Sequence, residues 1–231
     1  MPTTYNVSTI NTSVASAVQT NKVLRNTYLL LAMTLLFSAV MAGVSMAMAV
    51  PYGASLISSL VALALLWFVV PRTAHSAAGI GVVFAVTGLL GFGLGPVLNH
   101  YLSLANGPQI VMLSLGITGA AFTGLSGYAL VTRRDFSFMR SFLMIGILVA
   151  FIAGIVSLVA ALVGYPMPAL ALTVSAMFAF LMCGLILWQT SEIVNGGETN
   201  YVLATVSLYV SIYNLFTSLL HLLGAFMGER E

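Results

Sequence analysis

Residues 27–49 read TYLLLAMTLLFSAVMAGVSMAMA. No Asp, Glu, Lys or Arg interrupts them, and about 20 mostly apolar residues suffice for a helix to cross the hydrocarbon core of a bilayer. Two cations, Lys22 and Arg25, stand just before the run. Read as a transmembrane helix, this stretch sets the pattern for the rest of the chain. Six further stretches repeat it, at 54–70, 78–98, 109–131, 141–163, 169–188 and 201–223. Between them fall Pro51–Gly53, Pro71–Ser76, Asn99–Pro108, Thr132–Arg140, Gly164–Pro168 and Gln189–Asn200. These are the residues that punctuate helices at a membrane surface. The runs are too long for the strands of a transmembrane barrel, and they lack its alternation.

Composition agrees. Of 231 residues, 60% are hydrophobic and 5% are charged, against roughly 25% charged in an average soluble domain. So few charges could not cover a soluble surface. The expected class is an all-α membrane protein, one seven-helix bundle in a lipid bilayer. The single cysteine, Cys183, lies inside an apolar run, which excludes an intramolecular disulfide and a cysteine-clustered metal site.

The seven Lys and Arg residues give the bundle a direction. Lys22 and Arg25 precede the first span, Arg72 follows the second, and Arg133, Arg134 and Arg140 lie between the fourth and fifth. With seven spans and a cytoplasmic N-terminus, these six share the cytoplasmic side, as the positive-inside rule requires. Arg230, in the short tail 224–231, is left on the other side. Missing or adding a span before residue 132 would scatter the charges over both faces. The charges therefore test the count of the early spans as well as the direction.

The leader 1–26 is rich in Thr, Ser and Asn and shows no clear helical period, so a flexible cytoplasmic tail is expected. Ala47-Met48-Ala49 resembles a signal-peptide cleavage site. The apolar run is longer than the 7–15 residues typical of a signal core, however, and an uncleaved first span is the expectation.

Small and polar residues inside the spans locate helix contacts. Gly88, Gly91 and Gly95 of the third span, and Gly116, Ala120, Gly124 and Gly127 of the fourth, form stripes suited to close helix packing. Pro96 is expected to end or kink the third helix. In the seventh span Ser207, Ser211, Asn214, Ser218 and His221 step by four, three, four and three, which places them on one helical face. A polar face turned to lipid is costly, so this stripe should look into the bundle or a hydrated cavity. Helix seven is the candidate for a central helix. Structural bridging and a conduction path both fit the stripe, while interfacial solvation is the expectation for His221.

No carboxylate lies in the apolar middle of any span: Asp135, Glu192, Glu198, Glu229 and Glu231 are all in connections or the tail. This argues against a proton pump or cation-driven transporter built on buried acids. There is no phosphate-binding loop and no metal-ligand spacing. Gly124-Leu-Ser-Gly127 only approaches a nucleophile motif, and Ser126 has no evident activating base. The chain is not expected to be an enzyme, and no cofactor, metal or nucleic-acid partner is expected.

Four motifs in order carry a family resemblance. They are Lys22-Val-Leu-Arg-Asn-Thr-Tyr28, Gly91-Phe-Gly-Leu-Gly-Pro96, Thr132-Arg-Arg-Asp-Phe-Ser-Phe138, and Asn195-Gly-Gly-Glu-Thr-Asn-Tyr201 continuing through Ser207-Leu-Tyr-Val-Ser-Ile-Tyr-Asn-Leu-Phe216. In these the chain resembles the Bax inhibitor 1 family, specifically its bacterial YccA branch, from about Lys22 onward. The resemblance implies seven helices with the last enclosed by the others, in the bacterial inner membrane. It also implies a role as modulator and substrate of the membrane-anchored ATP-dependent protease FtsH. The leader 1–26 is long and polar enough to be the end that such a protease grips. Other family members behave as pH-sensitive calcium leaks that use an acidic pair, one near the end of helix six and one in helix seven. The aligned positions are Gln189 and Ser211, both neutral. A titrating carboxylate pair is what would sense pH and attract a divalent cation, so the leak becomes the alternative reading. Glu192, one turn from Gln189, is the acid that could substitute in part. The resemblance implies nothing about oligomeric state.

Overall fold

The computed structural model describes residues 7–228, with side chains from residue 19 onward. The first six residues of the leader, and Arg230 with its neighbours Glu229 and Glu231, lie outside the described residues. Among the described residues seven helices are long and apolar enough to cross a membrane. They are α1 (Val7–Ala47, with its apolar span at Gln19–Ala47), α2 (Tyr52–Thr73), α3 (Ala78–Leu102), α4 (Gly107–Thr132), α5 (Met139–Leu162), α6 (Pro168–Val194) and α7 (Tyr201–Met227). No strand occurs among the described residues.

Several helices run past the ends that the apolar runs suggest. Residues 7–26, expected as an irregular leader, are helical backbone continuous with the first span. Once the apolar span has formed, each added residue gains a hydrogen bond without a new nucleation cost. Ser, Thr and Asn are only weakly unfavourable in a helix, so little opposes the extension. α3 continues through Pro96 to Leu102. Pro96 removes an amide donor and crowds the carbonyl four residues back. Nearby carbonyls find donors on α2: Ser55 Oγ bonds the Gly93 carbonyl, and Ser58 Oγ donates to the Leu89 carbonyl at 2.7 Å. This is how a bilayer-spanning helix tolerates proline. In α2, Pro71 is preceded by one wide turn at Leu65–Val69, where the Val70 amide reaches back five residues to the Leu65 carbonyl. A proline downstream is the evident cause.

α3 is wedged between α1 and α2 by its glycines. A Cβ at Gly91 would fall on the Ser38 backbone of α1, and one at Gly95 on the Ser45 side chain. One at Gly88 would stand 2.6 Å from the Phe37 ring, and on the α2 side one at Gly93 would meet Ser59 Oγ at 2.6 Å. The stripe of α4 behaves differently, against expectation. A Cβ at Gly116, Gly124 or Gly127 meets nothing, and Gly116, Ala120 and Gly124 are exposed. α4 instead buries Ile110, Ser114, Thr118, Ser126 and Ala129, a parallel stripe on another face, and packs on α6 and α7. Spacing alone does not choose between two stripes on one helix.

α7 packs most closely on α1, α3, α4 and α6. In its most apolar window 61% of residues are buried, against 11% in α5. Its Leu208, Tyr209, Leu215 and Leu220 are almost fully buried. The connections at one end are stitched together. Asn200 Nδ2 donates to the Ala74 carbonyl at 2.9 Å, Ser191 Oγ donates to the Arg134 carbonyl at 2.8 Å, and Thr20 of α1 stands beside Gly196. Lys22, Arg25, Arg72, Arg133, Arg134 and Arg140 all belong to this end. At the other end Asn99 Nδ2 donates to the Met46 carbonyl at 3.2 Å and Asn106 Nδ2 to the Met227 carbonyl at 3.3 Å, and the connections there carry no Lys or Arg.

Candidate functional site

The C-terminal turns of α6 and the first half of α7 lie side by side at the basic end of the bundle. Here the two family-aligned positions meet: Ser211 Oγ donates to Gln189 Oε1 at 3.0 Å. The same hydroxyl lies 3.0 Å from the Ser207 carbonyl one turn back. Ser211 is buried, and Gln189 lines a cleft of about 390 Å³. Met144, Ile147 and Leu185 form an apolar wall of that cleft, and Arg140, Trp188, Glu192, Glu198 and Ser207 line it too.

Glu192, expected in a connection, lies in the last turn of α6, and the loop that follows brings Glu198 to the same cleft. Gly196 takes a positive φ of 77°, a left-handed conformation that glycine adopts without a Cβ penalty. The amides of Gly197 and Glu198 both reach the Glu192 carbonyl, at 2.8 and 3.2 Å, which folds Glu198 back toward Glu192. Glu198 Oε1 then accepts from the Asn200 amide at 2.7 Å. Across the cleft the Arg140 guanidinium sits 5.7 Å above the Trp188 ring, within the range of a cation–π contact. The rim thus holds two carboxylates and one guanidinium, while the floor is an amide bonded to a hydroxyl. Neither floor group titrates in the physiological range. A proton-driven change of charge at the floor has no group to carry it.

Further along the polar stripe, His221 returns to α6. His221 Nδ1 and Ser175 Oγ are 2.7 Å apart, so this histidine is tied to α6 and half-buried; solvation at the interface was the expectation. Asn214 Nδ2 bonds back to the Val210 carbonyl at 2.8 Å, Ser218 is buried, and Ser207 is exposed in the cleft. Cys183 is half-buried and unpaired among the described residues. Ser126 is buried with its hydroxyl 3.2 Å from Thr190 Oγ1. No group of three or more His, Cys, Asp or Glu occurs among the described residues.

Three polar arrangements escape a reading of the sequence by spacing. Tyr209 of α7, 1% exposed, has its hydroxyl 2.5 Å from Ser38 Oγ of α1 and 3.3 Å from the Thr87 carbonyl of α3. It joins three helices at the core, and in the sequence it reads as one aromatic among many. Asn200 caps α7 by accepting from the Val202 and Leu203 amides at 2.9 and 3.3 Å, while its Nδ2 holds the α2–α3 connection. An Asn before an apolar run is a recognisable cap signal, but the second bond is not legible there. Ser191 accepts from the Phe136 amide at 3.2 Å and donates to the Arg134 carbonyl, which fixes the Arg133–Phe138 connection to α6.

The family described as "Inhibitor of apoptosis-promoting Bax1" matches residues 20–228. A protein of Escherichia coli K12 named as modulator of FtsH protease YccA is 47% identical over 90% of this chain and 92% of its own length. An E. coli protein of another strain, named as inner membrane protein YccA, shows the same identity and coverage. A membrane protein of Vibrio cholerae is 44% identical over 94% of this chain and 95% of its own. Seven apolar helices and an inner-membrane relative at this identity make the chain a multi-pass protein of the bacterial inner membrane. Matched by the family over residues 20–228 and 47% identical over 90% of its length to YccA of E. coli, the chain belongs to the Bax inhibitor 1 family, in its YccA branch.

Proposed function

We propose that this chain modulates an FtsH-type membrane protease as a slow, competing substrate, gripped at its N-terminal end on the cytoplasmic side. The observation that carries the reading is the 47% identity, over nearly the whole length, to a protein named as modulator of that protease. The physical argument concerns extraction. A protease that pulls from the N-terminus must first draw α1 away from the bundle. α1 is held to α3 where Gly91 and Gly95 allow backbone contact, and to α7 by the Ser38–Tyr209 hydrogen bond. These contacts lie along one helix and part together, so the pull meets a cooperative barrier, and a slow substrate occupies the enzyme. The protein itself acts by binding and not by catalysis.

The cytoplasmic orientation of the basic end follows from the positive-inside rule. The grip has a direct test. A variant lacking residues 3–20, inserted normally, is expected to escape degradation and to leave the protease uninhibited. Continued degradation and inhibition would show that the enzyme engages another segment.

The leak channel is the second reading. Glu192 and Glu198 at the cleft rim favour it, since they are acids at the mouth of the α6–α7 seam. The neutral Gln189–Ser211 pair at the floor opposes it. The protease reading is preferred on that ground.

A further inference from the structure

A second cavity, of about 440 Å³, lies in the half of the bundle away from the basic end. α1 and α4 form its two sides and meet only at its inner end, where the Tyr28 and Phe122 rings lie 5.9 Å apart, and α7 forms its floor with Tyr209, Tyr213 and Phe216. It therefore opens sideways, between two membrane-spanning helices, toward lipid. On α1 it runs from Leu35 to Met46, about 16 Å at the helical rise per residue. That is close to half of a hydrocarbon core about 30 Å thick, the depth of one leaflet.

The lining specifies the chemistry of the occupant. No charged side chain contributes to it. Its hydroxyls are already bonded within the protein: Ser38 with Tyr209, Thr118 to the Ser114 carbonyl at 2.7 Å, and Tyr213 to the Leu90 carbonyl at 3.4 Å. An occupant needs neither donor nor acceptor, and a headgroup or an ion would lose its hydration without recompense. The Tyr209 and Tyr213 rings are stacked, with centroids 6.2 Å apart, and present a flat apolar floor. Gly43 and Gly119 stand at the two sides, where a Cβ would meet open space. Side-chain volume is absent where a chain would enter.

We infer that this cavity is a lipid site that takes a single acyl chain from the leaflet opposite the basic end. The chain fills the gap between α1 and α4 and rests on the Tyr209–Phe216 face of α7. The full-length protein would be reconstituted in vesicles of phosphatidylethanolamine and phosphatidylglycerol that carry a photoactivatable diazirine on one acyl chain. Labelled residues would be mapped by mass spectrometry. The label is expected to concentrate on the cavity residues of α1 and α4, Gly43 and Gly119 among them, above its density on the open lipid face of α5. The variants Gly43→Leu and Gly119→Leu, each placing a side chain in open space, should reduce cavity labelling to the α5 level and leave α5 labelling unchanged. Uniform labelling of the native protein over both faces overturns the inference. So does labelling that survives both substitutions in protein that elutes as the native species does.

Discussion

The Gln189–Ser211 hydrogen bond is the point at which chemistry and family diverge. Two carboxylates at that separation could not both ionise, and the pair would titrate as a coupled site. An amide and a hydroxyl hold the same two helices together at every physiological pH. Reconstituted liposomes are therefore expected to show no pH-gated calcium flux; a flux abolished by Glu192→Gln would transfer the function to the cleft rim. Ser211→Ala removes one hydrogen bond from a buried hydroxyl to Gln189, which itself lines the cleft, and should lower stability by about 0.5–1.5 kcal/mol. Thermal unfolding of the detergent-solubilised protein measures it. Asn200→Ala loses both the cap of α7 and the tie to the Ala74 carbonyl. A lost cap costs about 1 kcal/mol, so this variant is expected to fall further in Tm than Ser211→Ala. Ser207, Ser211, Asn214, Ser218, His221, Gln189 and Glu192 can all be picked out in the sequence. Which of them touch cannot, because the partners are 22 and 46 residues apart along the chain in the Ser211–Gln189 and His221–Ser175 pairs.

Among the elements, α3 and α4 show how the same signal can have opposite outcomes. Both carry glycines at helical spacing, and only those of α3 lie against another helix in the chain. Gly91→Val would drive side-chain atoms into the α1 backbone, and overpacking of this kind costs about 1–3 kcal/mol. Gly116→Val adds its side chain in open space and should stay within about 0.5 kcal/mol of the native protein, as exposed substitutions do. Comparing the two unfolding temperatures tests the assignment of faces. The same contrast extends to the protease: Gly91→Val should be extracted and degraded faster than Gly116→Val, because it loosens the helix at which pulling begins. Equal rates would mean that the α1–α3 contact is not the barrier.

On the scale of the whole molecule, six cations share one end and the connections at the other have none. Single cysteines at Arg72 and Arg134, introduced in a Cys183→Ser background, are expected to react with a membrane-impermeant maleimide only in inverted inner-membrane vesicles. Cysteines at Ser103 and Tyr165 should react in intact spheroplasts. The reverse pattern would invert the bundle and remove the grip from the cytoplasm. The stitched end, where Asn200, Ser191 and Asn195 tie three connections together, makes these loops one surface. With the basic end cytoplasmic, as proposed, a partner that approaches from that side meets this surface together with the start of α1.

Class, the seven spans and the segregation of the cations are all legible along the chain. The reason is that a bilayer reads hydropathy and charge locally, one run at a time. The polar face of α7 was legible for the same reason, since helical spacing is a property of the chain. Tertiary structure decided which faces found partners. It placed the glycines of α3 against α1 and left those of α4 open, bound Ser211 to Gln189 and His221 to Ser175, and extended α1 through residues expected to be irregular. It also left a gap between α1 and α4 above Tyr209. Inside a bilayer lipid is as apolar as leucine, so hydrophobicity does not tell a lipid-facing stripe from a packed one. Close packing and hydrogen bonding between distant residues make that choice.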